Sequence, residues 1–206
     1  MDRELIFYTH PMSRGRIARW MLEEVEVPYR TEVLAYGETM KSEDFRALNP
    51  MGKVPTIRHG DVVVTETAAI CAYLADAFPS VDLGPRDDRE RAGYYRWMFF
   101  AAGPLEAAVV NHALGVEVPD AKRAMVGYGS FAAVMDTLEY AVTQTDYIAG
   151  SRFTAADVYV GAHVGWGLQF GSIEKREAFL RYYQRVSDRD AYRRGSALDD
   201  ALIGQG

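Results

Sequence analysis

Residues 5–34 read LIFYTHPMSRGRIARWMLEEVEVPYRTEVL, and the order of patterns within them decides the fold. Leu5 to Thr9 is a short apolar run rich in aromatic and branched side chains, which suits a buried strand. From Ser13 the period changes. Ile17, Met21 and Val25 recur every fourth residue, with Ala18 and Leu22 beside them, so one face of a helix is apolar. Ser13 stands where the N-cap of that helix would stand. Val27-Pro28 ends it, because proline disfavours the helical conformation in the residue before it. Tyr29 to Leu34 reads as a second strand. Two strands joined through a helix need a crossover, so they pair in parallel.

The pattern extends outward from there. Ala35 to Asn49 is polar, with a short helix over Glu43 to Leu48. Val54 to Arg58 and Val62 to Val64 flank His59-Gly60-Asp61, an antiparallel hairpin with a tight turn. A helix follows from Glu66 to Ala77. The order βαβ then ββα occupies residues 1–78, and a Pro- and Gly-containing linker covers 79–86. Beyond it, 87–206 reads as all helix. Asp88 to Leu114 is kinked at Gly103-Pro104, since a proline removes a hydrogen bond and crowds the preceding turn. Ala121 to Val142 is a single helix, with Met125, Tyr128 or Gly129, Ala132, Met135 and Leu138 or Glu139 along one side. Thr154-Ala-Ala-Asp157 opens another as a capping box. Glu174 to Val186 and Asp190 to Leu202 complete the set. A mixed α/β part followed by an all-helical part implies two domains.

Composition narrows the function. The chain has 206 residues, 49% apolar and 25% charged, with a net charge of −6. An acidic chain in which the nearest thing to a basic cluster is the short trio Arg14, Arg16 and Arg19 argues against nucleic acid and against an anionic membrane surface. Trp97 to Leu114 is interrupted by Pro104, Glu106 and His112, so it reads as a buried helix rather than a membrane span. The opening Met-Asp-Arg-Glu-Leu lacks the pattern of a signal peptide. Cys71 is the single cysteine, which forbids an internal disulfide and fits a reducing, cytoplasmic setting. It lies in an apolar helical stretch and reads as an inert core residue. His10, His59, His112 and His163 are scattered without metal-site spacing, so no metal is expected. His59 reads as a turn residue. His10 lies close to Ser13, but no aspartate or nucleophile elbow accompanies them, which disfavours a hydrolytic triad.

Two short stretches carry competing readings. Pro55 in Lys53-Val54-Pro55-Thr56 could simply start an edge strand. A cis Val54-Pro55 bond would instead turn the backbone groups of Val54 outward, free to pair with a peptide-like ligand. In Thr65-Glu66-Thr67-Ala68 the plain reading is helix capping by Thr65 or Thr67. The alternative uses the same physics: amides at a helix start hold a carboxylate, and Glu66 holds an ammonium group.

Taken in order, these pieces resemble the cytosolic glutathione transferase family, in the bacterial, serine-like form. The resemblance rests on the strand–Pro11-Met-Ser13–helix opening, Asn49-Pro-Met-Gly-Lys-Val-Pro55, Glu66-Thr-Ala-Ala-Ile70, the linker and Phe153-Thr-Ala-Ala-Asp157. It implies a thioredoxin-like N-terminal domain, an all-helical C-terminal bundle, a homodimer and glutathione as co-substrate, used in detoxification. By position, Val54 beside cis-Pro55 would pair with the cysteinyl part of glutathione, Glu66 and Thr67 would hold the γ-glutamyl end, and Lys53 and Lys41 would face the glycyl carboxylate. Ser13, just after the proline, is the leading candidate to activate the thiol. Tyr8 is its rival, and because an arginine or a backbone amide performs this task in some members, Arg14 is a further candidate. The second substrate would lie among Met12, Tyr94, Met98, Ala101, Leu105 and Trp166, with Phe100, His112 and Phe170 as weaker candidates; plain core packing competes for most of them.

A serine suffices for this chemistry. A free thiol with a pKa of ~8.5 is about 3% thiolate at neutral pH, and lowering it by about two units needs ~2.7 kcal/mol. A hydrogen bond to a charged acceptor contributes ~1.5–3 kcal/mol. A helix N-terminus adds ~0.3–1 kcal/mol when exposed and more when partly buried. The resemblance thus implies conjugation of glutathione to a hydrophobic electrophile. A peroxidase, dehalogenase or isomerase on the same site, or a non-catalytic binding protein, are the alternatives.

Overall fold

The computed structural model describes residues 4–203; the Met1-Asp2-Arg3 of the N-terminal reading and residues 204–206 lie outside the described residues. Contacts divide the chain into two compact units, Met1–Asp82 with Asp188–Gly206, and Leu83–Ser187.

The first unit is thioredoxin-like. Strand β1 (Leu5–Thr9) leads to helix α1 (Gly15–Val25) and strand β2 (Arg30–Val33); after helix α2 (Glu43–Leu48) come β3 (Thr56–His59), β4 (Val62–Thr65) and helix α3 (Thr67–Ala77). The strands lie in the order β2-β1-β3-β4. β1 runs parallel to β2 and antiparallel to β3, as the crossover argument requires, and β3 pairs antiparallel with β4. The apolar stripe Ile17, Met21 and Val25 is buried, together with Leu5, Phe7, Ile57, Ile70 and Leu74. Burial of this stripe removes apolar area from water and ties α1 to the unit's core. Cys71 is fully buried, and burial pushes its thiol well above the usual range. His59 is the last residue of β3 rather than a turn residue, and its Nδ1 lies 2.9 Å from the Tyr73 hydroxyl.

The second unit is helical. Asp87 caps α4 (Asp88–Phe100) by accepting from the Glu90 amide at 2.9 Å. A π-helical turn, Ala101–Leu105, contains Pro104 and passes into α5 (Glu106–Ala113). The expected kink thus takes the form of a wider turn, which accommodates the residue that has no N–H to donate. The single helix expected over Ala121 to Val142 is not formed. A 3₁₀ turn covers Asp120–Met125, and α6 (Phe131–Gln144) starts afresh with Ser130 as its cap, accepting from the Ala133 amide at 3.1 Å. Gly127 and Gly129 lie in the break; glycine is a weak helix former, and a strong cap follows directly. Of the proposed stripe, Met135 and Leu138 are buried while Met125 is exposed. Then follow α7 (Ala155–Phe170) and α8 (Glu177–Ser187). The capping box at Thr154 is present. Its Asp157 carboxylate also accepts from the Ile148 amide at 2.7 Å and the Tyr182 hydroxyl at 3.0 Å. Among the described residues, no helix is long and apolar enough to cross a membrane.

The last helix, α9 (Asp190–Asp200), groups with the first unit and packs on α1. Charges join the two helices. Arg19 and Asp199, both buried, meet at 2.8 Å; Arg16 meets Asp200 at 2.5 Å, and Arg194 meets Glu23 at 3.0 Å. A buried pair of this kind stabilises little relative to apolar packing, but removing one partner strands the other charge.

Candidate functional site

Strand register gathers three separated stretches at one end of the sheet. Tyr8 pairs with Thr56, and Thr56 pairs with Thr65. The exit from β1 toward Ser13, the entry to β3 from Pro55 and the exit from β4 into Glu66 are therefore neighbours.

The middle stretch is shaped by Asn49, which is buried. Its Nδ2 donates to the Lys53 carbonyl at 2.8 Å and to Thr56 Oγ1 at 3.1 Å, and its Oδ1 accepts from the Met51 amide at 3.1 Å. The Val54–Pro55 bond is cis, and β3 lies between β1 and β4. The edge-strand reading of Pro55 is therefore overturned. Among the described residues, no hydrogen bond uses the backbone N–H or C=O of Val54. Lys41 reaches this loop, its Nζ donating to the carbonyls of Met51 at 3.2 Å and Gly52 at 2.7 Å. Gly52 cannot carry a side chain here, since a Cβ would stand 2.8 Å from the Met40 carbonyl oxygen. Lys53 is exposed.

The third stretch overturns the capping reading. The residue before α3 is Glu66, with no side-chain hydrogen bond to the helix start, so neither Thr65 nor Thr67 acts as its cap. Glu66 has φ 66° and ψ 120°, a left-handed-side conformation that a residue with a Cβ rarely adopts. Strain of this kind persists only where the surroundings impose it, and it concentrates at ligand sites. The first amides of α3 have no intrahelical partner, as at any helix start. Thr67 is buried beside them, and the exposed Glu66 supplies a negative charge.

Ser13 sits in a compact turn before α1. Its hydroxyl donates to the His10 carbonyl at 2.7 Å and accepts from the Gly15 amide at 2.9 Å. The helix begins at Gly15 rather than directly after Ser13, yet the hydroxyl still satisfies its first amide. The Met12 amide donates to His10 Nδ1 at 3.1 Å, and the Tyr36 hydroxyl to the Met12 carbonyl at 3.0 Å. Tyr8 and Thr9 alternate across the sheet. Tyr8 is half-buried with its ring 5.6 Å from that of Phe45 in α2. Thr9 faces α1, its hydroxyl fully buried and without a hydrogen-bond partner. Arg14 is exposed at the helix start.

The residues expected to line a second-substrate site fall in both units. Met12 is 66% exposed in the first. In the second, Tyr94, Met98, Ala101 and Leu105 are buried, Trp166 is half-buried and Phe170 is exposed. Tyr36 and Asn49 shape the candidate site, as does Arg16, whose Nε donates to the Pro11 carbonyl at 2.7 Å, and sequence reasoning missed all three. Asn49 opened a quoted motif, which was the one signal of its presence; Tyr36 lay in an unpatterned polar stretch and Arg16 in a short basic trio. Among the described residues, no three His, Cys, Asp or Glu side chains cluster as a metal centre would require.

Comparison with known proteins adds a separate line. The family model for the glutathione S-transferase N-terminal domain matches residues 12–77. Glutathione S-transferase A of Pleuronectes platessa is 30% identical over 183 residues, 82% of this chain and 80% of that one. A theta class glutathione S-transferase from Xanthomonas axonopodis pv. citri, solved with glutathione bound, is 29% identical with a TM-score of 0.73, covering 94% of this chain and 97% of that one. A glutathione transferase from Methylococcus capsulatus shares the fold with a TM-score of 0.78 at 24% identity, over 96% of this chain and 99% of that one.

Proposed function

The chain belongs to the glutathione S-transferase family, and from that premise we propose that it ionises the thiol of glutathione beside Ser13 and adds the thiolate to a hydrophobic electrophile. The observation that carries this assignment is the register. It makes neighbours of the Ser13 turn, the unpaired Val54 backbone and the Glu66–Thr67 helix start. Val54 offers one N–H and one C=O, the pair a peptide strand uses, and cis-Pro55 holds them at the loop. Glu66 suits an ammonium group and the amides of α3 suit the carboxylate beside it, the two charges of a γ-glutamyl end. Lys41, anchored to the same loop, and Lys53 supply cations for the glycyl carboxylate.

The Ser13 hydroxyl has one proton, which it gives to the His10 carbonyl. Turning that proton onto a thiolate gives up a neutral hydrogen bond of about 1 kcal/mol for a charged one of about 1.5–3 kcal/mol. The exchange favours the thiolate, and Gly15 at the helix start keeps its amide close to the hydroxyl oxygen. Met12, exposed next to Ser13, would meet an apolar co-substrate. The single buried cysteine agrees with a cytoplasmic setting. The family resemblance supports a homodimer, which sedimentation of the chain tests.

Calorimetric titration of the chain with glutathione tests the assignment. Binding should saturate at one site per chain and weaken in Glu66→Ala; no binding at all would remove it. Turnover with activated chloroarenes, epoxides and hydroperoxides then separates conjugation from peroxidase or dehalogenase chemistry, and binding with no turnover on any of them leaves an isomerase or a non-catalytic protein.

A further inference from the structure

Arg16, one turn into the site, touches the Ser13 turn twice. Its amide donates to the Ser13 carbonyl at 3.2 Å, and its Nε donates to the Pro11 carbonyl at 2.7 Å. The other end of the same guanidinium meets Asp200, on the final turn of α9, 184 residues away in sequence. The side chain of Arg16 is 25% exposed and that of Asp200 is 64% exposed. An ion pair this exposed contributes little to global stability. Its consequence is directional. Guanidinium is a rigid planar fork, so anchoring Nη2 on Asp200 fixes where Nε points. Nε points at the carbonyl that opens Pro11-Met12-Ser13. We propose that Asp200 is a positioning residue for Ser13, acting through Arg16, so that the C-terminal helix sets the geometry of thiol activation. The inference rests on the assignment of Ser13 above.

The neighbouring charges do not duplicate this link. On α1 and α9, Arg19 pairs with Asp199 and Arg194 with Glu23, and neither pair reaches the Pro11 carbonyl. Lysine at 16 offers a single ammonium, which cannot hold the carbonyl and the carboxylate in one fixed plane.

The test uses the full chain, glutathione and an activated chloroarene. Asp200→Asn and Arg16→Lys should lower kcat about three- to tenfold, leave the KM for glutathione within about twofold, and raise the midpoint of the thiolate absorbance of bound glutathione. Asp200→Glu, which keeps the carboxylate, should recover both kcat and midpoint. Glu23→Gln, which removes a different α1–α9 pair, should leave them unchanged and so reports mere docking of α9. A purely electrostatic role for Asp200 has the opposite sign, because loss of an anion near a thiolate lowers its midpoint. An unchanged or lowered midpoint in Asp200→Asn, with Ser13→Ala raising it, overturns the inference and leaves the assignment of Ser13 standing. If Ser13→Ala itself leaves the midpoint unchanged, the assignment of Ser13 fails and the positioning role fails with it.

Discussion

Gly15 lies against the Thr9 side chain so closely that a Cβ at position 15 would stand 2.0 Å from the Thr9 hydroxyl oxygen and 2.9 Å from that of Ser13. Alanine in a helix ordinarily stabilises by about 1 kcal/mol relative to glycine. Here the overlap decides the sign. Thr9 is fully buried and has nowhere to move. Gly15→Ala should destabilise the chain by about 1–3 kcal/mol, the usual cost of overpacking. Thr9→Ala removes the clashing oxygen, which has no hydrogen-bond partner to lose. Urea denaturation of both single variants and the double should therefore show the double more stable than Gly15→Ala alone. Additive losses would show that another contact excludes the side chain.

Glu66 trades stability for placement. Its backbone, at φ 66° and ψ 120°, costs about 1–3 kcal/mol for a residue with a Cβ. Glycine relieves that strain and costs only about 0.5–1 kcal/mol in added unfolded-state freedom. Glu66→Gly should raise the denaturation midpoint while weakening glutathione about tenfold or more, the loss of ~1.4 kcal/mol or more in contact energy. Stability and affinity moving in opposite directions marks a ligand residue. A fall in both would mark Glu66 as structural.

Asp157 gives the second unit a pH dependence. Burial raises its carboxyl to about 6, against the hydrogen bonds from Ile148, Thr154 and Tyr182 that pull the other way. The folded chain thus binds this proton more tightly than the unfolded chain, whose aspartate titrates near ~3.9. The stabilisation is complete below the unfolded value and is lost as pH rises through the folded one. Asp157→Asn abolishes the titration and sets an amide N–H₂ against donors, costing about 1–3 kcal/mol. Denaturation midpoints should show its deficit relative to wild type narrowing as pH rises from about 4 to about 6. A deficit that widens over this range would reverse the assigned direction.

The thioredoxin-like unit is legible because its signals are local. The strand, helix and strand of residues 5–34 announce themselves by period, and Gly60 marks the hairpin between β3 and β4. The capping box at Thr154 needs only four adjacent residues. What depends on distant partners is not legible in this way. Nothing in the local pattern joins Arg19 to Asp199 or Arg16 to Asp200, so α9 reads as one more helix of the second part. The break before Ser130 is hidden because apolar spacing continues across Gly127 and Gly129. At the site, residue types and order are readable, whereas the cis state of Val54–Pro55 and the hydrogen bond from Ser13 to the His10 carbonyl, three residues back, depend on backbone geometry that residue types do not dictate.

The central claim is that the Ser13 hydroxyl donates to the glutathione thiolate. The most direct measurement is the ultraviolet thiolate absorbance of bound glutathione, titrated with pH in wild type and Ser13→Ala. On the proposed site, glutathione should stay bound in the variant through Val54, Glu66 and Thr67, so both midpoints can be read. Wild type should titrate about two units below the free value of ~8.5, and Ser13→Ala about one unit or more above wild type. Equal midpoints in the two proteins would contradict the claim and pass the role to Tyr8, Arg14 or a backbone amide.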